Sequence, residues 1–472
     1  MPSSMLKQVL YEAEKRKWLF VGLLTGGLIA LLPHPSGLSP EGLRVLAIAA
    51  CTSIFIITEP VPLPTVALMI AVFQVLLDVG TPSNVARTFM SDSVFFIMGS
   101  LMLAVAIVKQ NLDKRLALGI IALTGSRLSS ICFGIVCVSA LLASLIGEHT
   151  VAAIMLPVGT SLIRLTSEDD RKTRPLAAVI MFCIGYGCSI AGIGTPSGGA
   201  RNAIMLEYFR SLFGVKVSYF RWMVYAYPMV LIQIPVLTYI LLGTFRTETT
   251  NLDQSVYLLR QQVSREGKMK RSDWLTVGIF LFTLLLWITS SSYIGMGIIA
   301  LAGVILYLCT GIIRWEDINA GVNWGVVLLY AASISMGVSM NETGAAAWLA
   351  EQLLAGMGFL GLDSGLPLLI LIVILTTAVS NTMSPGPAVA ILGPIFLDMA
   401  RISGSNLLVA GFATAIASSF GYMTVVGSPA RTIIYGSGYL QTSDYWKAGW
   451  KMTLASILIV LLMAKLYWPF LG

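Results

Sequence analysis

The sequence predicts an all-α polytopic membrane protein, and three observations predict it. Of its 472 residues, 56% are hydrophobic and only 11% are charged, with a mean hydropathy of +0.84. Soluble domains carry roughly a quarter charged residues. Apolar stretches of about 20 residues, long enough to cross a bilayer, recur along the chain. Small polar residues, glycine and proline interrupt four of these stretches, which is typical of transporters with discontinuous helices in two inverted repeats.

The first part of the chain, residues 1–41, is predicted to hold a cytoplasmic segment and the first span. Basic residues precede that span, and lysine and arginine favour the cytoplasmic side of a membrane. The first inverted repeat is predicted over residues 42–245, with a re-entrant hairpin at 128–164 that opens inward. Spans are predicted near residues 18–33, 42–59, 63–80, 93–110, 175–195 and 222–243.

A basic loop, residues 246–272, is predicted to be a cytoplasmic linker between the repeats. The second inverted repeat is predicted over residues 273–472, with a hairpin at 366–401 that opens outward. Its other spans are predicted near residues 273–291, 294–313, 323–341, 407–427 and 449–470. We therefore expect a multi-pass protein of the plasma (inner) membrane with its N-terminus in the cytoplasm, embedded in the lipid bilayer.

The composition argues against several other classes of function. The six cysteines lie in apolar segments without the C-x-x-C spacing of zinc or redox sites, so we interpret them as buried thiols. The two histidines, His34 and His149, belong to no cluster with metal-ligand spacing. We expect neither a metal nor a cofactor. The net charge of +7 does not indicate a nucleic-acid partner, because the positive-inside rule explains basic residues in short loops.

The most informative break is the stretch 380–387, which has the sequence Ser-Asn-Thr-Met-Ser-Pro-Gly-Pro. Aliphatic runs flank it, so it lies at membrane depth, where irregular backbone persists only if protein buries it or it lines a cavity. Its Ser-Pro pair is typical of a helix start, which would direct backbone N–H groups at an anion. We interpret Ser380, Asn381 and Thr382 as substrate-binding candidates, with a capped kink in a packed helix as the alternative.

Three further breaks repeat this pattern. The first hairpin is interrupted by Glu-His-Thr at 148–150, and two other helices are interrupted by Gly-Thr-Pro at 194–196 and Gly-Ser-Pro at 427–429. Broken helices at matching places in two halves indicate a transporter binding site near the bilayer midplane. The further substrate-binding candidates are Thr150, Thr195, Pro196, Ser428 and Pro429.

Stretches at three places carry motifs of one transporter family. Residues 57–64 read Ile-Thr-Glu-Pro-Val-Pro-Leu-Pro, residues 94–100 read Val-Phe-Phe-Ile-Met-Gly-Ser and lead to Asn-Leu-Asp-Lys-Arg at 111–115, and residues 380–382 read Ser-Asn-Thr. In order and spacing they resemble the divalent anion:sodium symporter (DASS) family, which includes the INDY dicarboxylate carriers. The resemblance implies an elevator-type homodimer, in which a transport domain of both hairpins and both broken helices moves against a scaffold.

The chain departs from this family where the resemblance implies sodium sites, between each hairpin tip and its broken helix. The family's second Ser-Asn-Thr is replaced by the Glu-His-Thr at 148–150. Beside the breaks, Asn202 matches one family asparagine, whereas Arg431 replaces the other. The candidates for coupling or for replacing a cation are Glu148, His149, Arg201, Asn202 and Arg431.

Structural roles are alternatives for these charged residues. An arginine at membrane depth can hold backbone carbonyls or extend to an interface, and Glu148 and His149 can pair with each other or with an arginine. In the functional interpretation, arginine binds carboxylates through its planar fork. His149 would then be a proton site, because a free imidazole titrates near pH 6.5.

The favoured hypothesis is a secondary transporter of small dicarboxylates, of the succinate, malate, fumarate and 2-oxoglutarate class. One carboxylate would bind at 380–382 and the other near Thr150. Because arginine would supply positive charge where the family holds sodium, we expect a sodium-independent anion exchanger. The alternative is a Na⁺- or H⁺-coupled symporter of dicarboxylates, tricarboxylates or sulfate.

Two other classes of function are weaker. A membrane-embedded enzyme would need a nucleophile–base pair or a metal, and the sequence offers His149 no partner of that kind. We therefore do not expect an enzyme. A channel is less favoured than a carrier, because paired broken hairpins suit an occluded site better than a continuous pore.

Overall fold

The computed structural model describes residues 2–164, 170–247, 252, 253, 257, 261, 268–358 and 360–471, and their regular secondary structure is helical throughout. The helices of the first half are α1 (Pro2–Leu31), α2 (Pro40–Thr58), α3 (Leu63–Leu76), α4 (Pro82–Phe89), α5 (Asp92–Lys109), α6 (Leu112–Leu123), α7 (Leu128–Ile146), α8 (Glu148–Arg164), α9 (Asp170–Ala191), α10 (Ala200–Phe213) and α11 (Tyr219–Thr244).

The helices of the second half are α12 (Arg271–Ile294), α13 (Met296–Cys309), α14 (Trp315–Gly321), α15 (Trp324–Glu342), α16 (Ala345–Gly358), α17 (Gly365–Ser380), α18 (Pro385–Ile402), α19 (Leu407–Ala417), α20 (Pro429–Tyr435) and α21 (Thr442–Leu466). Most of the predicted linker, 246–272, lies outside the described residues. The division into the repeats 42–245 and 273–472 stays a prediction, as does their orientation in the membrane.

Nine of the described helices are long and apolar enough to cross a bilayer, by length and composition, and four shorter apolar helices accompany them. Burial of these spans inside the protein varies widely. α9 is buried over 89% of its apolar window, whereas α12 is buried over only 28%. Exposed side chains of α11, α12 and α21 include Tyr239, Phe282 and Leu462, as expected for a surface that faces lipid. The predicted class, an all-α polytopic membrane protein, is confirmed.

The same order of elements occurs in α7–α11 and in α17–α21. Each series begins with two helices joined by a short tip, continues with a helix that breaks and restarts, and ends with a long helix. The second arms of the two hairpins, α8 and α18, correspond in detail, because Pro157 and Pro394 are each the tenth residue of their helix. This count provides a register for comparing the two tips.

Helix α10 of the first series packs between α15 and α18. Its Tyr208 is fully buried, and the hydroxyl lies 3.1 Å from the carbonyl oxygen of Ser333 and 3.0 Å from that of Ala390. Gly337 leaves the space that the phenol ring occupies. One tyrosine therefore joins α10 to two helices from the second half of the chain.

Replacing Gly337 with alanine should destabilise the fold. The added methyl would lie 2.1 Å from the Tyr208 hydroxyl oxygen, and that ring is buried between two carbonyl groups. Overpacking of this kind costs about 1–3 kcal/mol, so we expect a lower midpoint of thermal unfolding in detergent. Gly356→Ala on α16, where the methyl meets open space, is the matched control. Equal midpoints for the two variants would contradict this packing.

Candidate functional site

A small cavity of about 60 Å³ lies where the two hairpin tips meet α5 and α15. The first tip contributes Gly147, Glu148 and His149, and the second contributes Pro385 and Gly386. Gly147 has a φ of +88°, which glycine adopts at little cost, so the chain passes from α7 to α8 through one residue. Other lining residues include Phe96, Ser100, Pro196, Ser197, Arg201, Tyr330 and Pro429.

The two helix breaks are equivalent in backbone conformation. Gly199 precedes α10 with φ −166° and ψ 140°, and Ser428 precedes α20 with φ −164° and ψ 142°. The third residue of α10 is Asn202, and the third residue of α20 is Arg431. The structure therefore makes Asn202 and Arg431 counterparts, and it matches Arg201 with an alanine.

The sequence matched the positions of Asn202 and Arg431 by placing an insertion after the first Gly-Thr-Pro, and the backbone of the two breaks gives the same pairing. The sequence comparison paired 194–196 with 427–429, but the first triplet begins only a single 3₁₀ turn, and the α-helix restarts later, at Ala200. Thr195 caps that turn, and its hydroxyl also donates to the carbonyl oxygen of Ser144 in the first hairpin. A Thr-Pro pair predicts where helical backbone starts but not how far it continues.

Asn202 and Arg431 bind backbone carbonyls of their breaks in the same way but with different charge. Asn202 Nδ2 donates to the carbonyl oxygens of Gly192 at 2.8 Å and Thr195 at 2.7 Å. Arg431 Nη1 lies 3.4 Å from the carbonyl oxygen of Thr424. Each threonine precedes its partner by seven residues in the sequence. Both side chains thus stabilise irregular backbone, and only Arg431 brings a positive charge.

Arg431 is fully buried, with 0% relative exposure. In the part of the chain that the structure describes, its guanidinium forms no ion pair, and Nε and Nη2 have no hydrogen-bond partner. The guanidinium carbon lies 5.7 Å from the centroid of the Tyr422 ring, a distance at which cation–π attraction acts. The second break therefore holds a cation without a counter-ion from the described residues.

Glu148 and Arg201 form an ion pair at the cavity wall. Arg201 Nη1 donates to Glu148 Oε1 at 3.2 Å. Arg201 is 2% exposed and Glu148 is 7% exposed. Glu148 is the first residue of α8, where the helix dipole also favours a carboxylate. The contact is a single hydrogen bond, because Glu148 Oε2 and Arg201 Nε and Nη2 have no partner among the described residues. Arg201 thus brings no net charge to this site.

The second hairpin brings Pro385 and Gly386 to the cavity instead of its Ser-Asn-Thr triplet. Counted from the tenth-residue prolines, Glu148 corresponds to Pro385 and His149 to Gly386. The triplet at 380–382 ends α17 and begins the tip, before α18 starts. The sequence alignment of the two tips was therefore wrong in register, because one tip is a single glycine and the other has four residues.

The polar side chains at 380–382 bind backbone groups. The hydroxyls of Ser380 and Thr382 donate to carbonyl oxygens four and three residues earlier, at 2.8 and 2.7 Å. Asn381 Nδ2 donates to the carbonyl oxygen four residues earlier at 2.8 Å, and its Oδ1 accepts from the N–H of Met423 at 3.1 Å. Asn381 thus ties the second tip to the second break. Contact of this triplet with a substrate stays a prediction.

The other candidate residues divide between the cavity wall and its surroundings. His149, Pro196 and Pro429 line the cavity, whereas Thr150 and Ser428 are not among its lining residues. Among the wall residues that sequence reasoning missed are Tyr330 and Gly386, which lie against each other. A methyl group on Gly386 would lie 2.2 Å from the Tyr330 ring. The Pro-Gly-Pro run could have indicated the glycine, but no polar break marks α15.

The chemistry of this cavity suits a carboxylate anion. The first residues of α8 and α18 lie at its wall. The start of α8 offers backbone N–H groups that a helix start leaves unpaired, whereas the start of α18, Pro385-Gly386-Pro387, offers only the N–H of Gly386. Arg201 adds guanidinium donors, which match carboxylate geometry. Within the described ranges, no group of three or more His, Cys, Asp and Glu side chains could hold a metal ion.

Comparison with known proteins gives matches over nearly the whole chain. A family model described as the sodium:sulfate symporter transmembrane region matches residues 14–472. The sodium-dependent dicarboxylate transporter SdcS of Staphylococcus saprophyticus is 29% identical over 478 residues, which cover 95% of this chain and 91% of that protein. The SdcS of Staphylococcus aureus strain bovine RF122 is 29% identical over 484 residues, with the same coverage.

Two solved transporter structures share the fold. The YdaH transporter of Alcanivorax borkumensis superposes with a TM-score of 0.57 at 14% identity, covering 98% of both chains. MtrF of Neisseria gonorrhoeae superposes with a TM-score of 0.56 at 13% identity, covering 96% of this chain and 94% of that one. At this level of identity the similarity concerns the fold alone.

Removing one partner of the buried ion pair should destabilise the protein more than removing both. Arg201→Leu leaves the Glu148 carboxylate buried and unpaired, which costs about 3–5 kcal/mol, whereas the double variant Glu148→Leu/Arg201→Leu leaves no buried charge. We expect thermal unfolding in detergent to show a low midpoint for the single variant and recovery in the double variant.

The control for this comparison is Arg210→Leu. The Arg210 side chain is half exposed, and its Nη1 lies 3.6 Å from Asp92 Oδ2. Exposed ion pairs contribute only about 0–1 kcal/mol to the free energy of unfolding. An Arg201→Leu midpoint as high as that of Arg210→Leu would show that Glu148 and Arg201 do not depend on each other.

Proposed function

Because the chain belongs to the sodium:sulfate symporter transmembrane family, we propose that it is a secondary transporter of small dicarboxylates, of the succinate, malate, fumarate and 2-oxoglutarate class. The membership confirms the resemblance to the divalent anion:sodium symporters, a family of transporters rather than enzymes. The names of the SdcS relatives support the substrate class. The observation that carries the proposal is the cavity between two hairpin tips, walled by Arg201 and two helix starts.

A dicarboxylate has a charged group at each end, and the cavity has a helix start on each hairpin. We propose that one carboxylate binds Arg201 and the start of α8, with Thr150 close by. The other binds the start of α18, which Asn381 holds against the second break. The bacterial relatives support a plasma-membrane location, and the family resemblance supports a homodimer with elevator-type movement of the hairpins and breaks.

For the coupling, we propose anion exchange without sodium, and Arg431 is the reason. Arg431 is the charged counterpart of Asn202, and it lies at a break where the family resemblance implies a sodium site. Moving an empty transport domain would carry this unpaired cation through the low-dielectric scaffold, which is unfavourable. The domain would therefore cross mainly when loaded. Arg201 does not add to this effect, because Glu148 neutralises it, so Arg431 is the one of the two candidate arginines that supplies net positive charge.

Sodium-coupled symport is the second candidate, and two observations favour it. The relatives at 29% identity are named as sodium-dependent. In addition, the buried charges of Glu148, Arg201 and Arg431 leave one net positive charge, which offsets only half of a bound dianion. A bound cation could supply the other half.

Purified protein in proteoliposomes should take up labelled succinate without converting it. Asn381→Ala should raise the succinate concentration needed for half-maximal uptake, because the second tip loses its hydrogen bond to Met423 and is less well positioned at the cavity. Loss of one such bond corresponds to about a fivefold to tenfold increase. Ser211→Ala, which removes a hydroxyl bonded only to its own helix, is the control. If the Asn381 variant reached half-maximal uptake at the wild-type succinate concentration, Asn381 would have no role in positioning the binding site.

Replacement of sodium by choline should leave succinate exchange intact, and uptake should depend on dicarboxylate inside the vesicle. Arg431→Asn, which restores the residue type of its counterpart Asn202, should slow exchange and allow net uptake, because the empty domain no longer carries an unpaired cation. Arg164→Asn, at an exposed arginine in the last turn of α8, is the control and should behave as wild type. Uptake that requires external sodium and ignores internal anion would identify the sodium-coupled mode instead.

A further inference from the structure

Glu148 occupies the place at which the first hairpin would receive a substrate carboxylate. It is the first residue of α8, it lines the cavity, and it binds the cavity arginine, Arg201. Its counterpart on the second hairpin is Pro385, which has no side-chain charge, so no carboxylate covers the N–H of Gly386 at the start of α18. The Glu148 carboxylate thus occupies one of the two positions at which the proposed transporter would bind a substrate carboxylate.

The contact between Glu148 and Arg201 is poised to open. One hydrogen bond of 3.2 Å joins them, whereas an arginine and a carboxylate can form two parallel bonds. Among the described residues, Oε2 of Glu148 and Nε and Nη2 of Arg201 have no hydrogen-bond partner. Both groups are buried beside the cavity, so a second carboxylate would find unused donors on Arg201.

The charge balance requires a further positive charge when a dianion binds. Glu148 cancels Arg201, and Arg431 contributes the one remaining positive charge of the three buried residues. A dianion then leaves the site with one net negative charge at membrane depth, where uncompensated charge is costly. Neutralisation of Glu148 by one proton removes that single negative charge without any other ion.

We propose that Glu148 is a tethered competitor of the substrate, displaced from Arg201 by a substrate carboxylate as it takes up one proton. This inference rests on the proposed function and deepens it. The proton comes from the water on the open side and forms an O–H bond with the Glu148 carboxylate. It returns to water on the other side when the substrate leaves and Glu148 binds Arg201 again. Each dianion is therefore carried together with one proton.

Ionisable groups on several elements around Glu148 bear on this step. Arg201 of α10 binds it, and His149 follows it on α8. The other groups within electrostatic reach are Cys188 of α9, Tyr330 of α15, Tyr422 of the second break and Arg431 of α20. Of these, His149 is the one whose side chain ordinarily titrates near neutral pH, so it is the competing proton acceptor that an experiment must separate from Glu148.

The test measures proton uptake when succinate binds to the purified full-length protein in detergent. A weakly buffered solution with a pH-indicator dye is used above about pH 7, where both succinate carboxylates are ionised. Wild type should take up about one proton for each succinate bound, by linkage between the two ligands. Glu148→Gln should bind succinate with no proton uptake, whereas Glu148→Asp and His149→Gln should keep it.

The same variants give a second readout in the pH dependence of affinity. In wild type, the succinate concentration for half-saturation should rise with pH, approaching about tenfold per pH unit, because the substrate must displace an ionised carboxylate. In Glu148→Gln this dependence should be absent, and at alkaline pH the variant should bind succinate more tightly than wild type.

The outcomes distinguish this inference from the proposed function. Succinate binding by wild type without proton uptake, or proton uptake that persists in Glu148→Gln and disappears in His149→Gln, overturns the role of Glu148 and leaves the transporter proposal intact. Failure of wild type to bind any of succinate, malate, fumarate and 2-oxoglutarate overturns the proposed function, and this inference with it.

Discussion

Backbone that leaves a helix at membrane depth must find hydrogen-bond partners inside the protein, and the site depends on how this chain meets that requirement. At the first break, Asn202 binds two carbonyls and Thr195 donates to the first hairpin. At the second, Arg431 takes the position of Asn202, and Asn381 joins the hairpin to the break. Each hairpin is thus bonded to its own break.

The two halves meet this common requirement with different charges. The first half contains a carboxylate and a guanidinium that neutralise each other at the cavity wall. The second half contains an arginine with no counter-ion among the described residues, held against an aromatic ring and a backbone carbonyl. A site built this way is asymmetric although its backbone is repeated. For the proposed dianion, the asymmetry means that Glu148 lies at one of the two hairpin positions and no carboxylate lies at the other.

The comparison of the two halves shows where sequence reasoning went wrong. It aligned the tips by their short polar triplets, and this alignment was shifted. At the breaks it matched Asn202 with Arg431 by placing an insertion after the first Gly-Thr-Pro, which agrees with the restarted helices. The structural register comes from longer-range features, namely the prolines in the second arms and the cap residues Gly199 and Ser428. The shift is decisive at the second tip, because it places Gly386 against Tyr330 and leaves Asn381 outside the cavity wall.

The sequence by itself determined the helical membrane class, the family, the places of the breaks and the identity of the unusual charged residues. These features are local or compositional, since hydropathy, helix-start residues and motifs act over short stretches. Only the tertiary structure decided that Arg201 is paired with Glu148, that Arg431 is not paired in this way, and that Tyr330 lies at the cavity. These facts join residues far apart in the chain, and pairing at a distance depends on how helices pack, which no local pattern specifies.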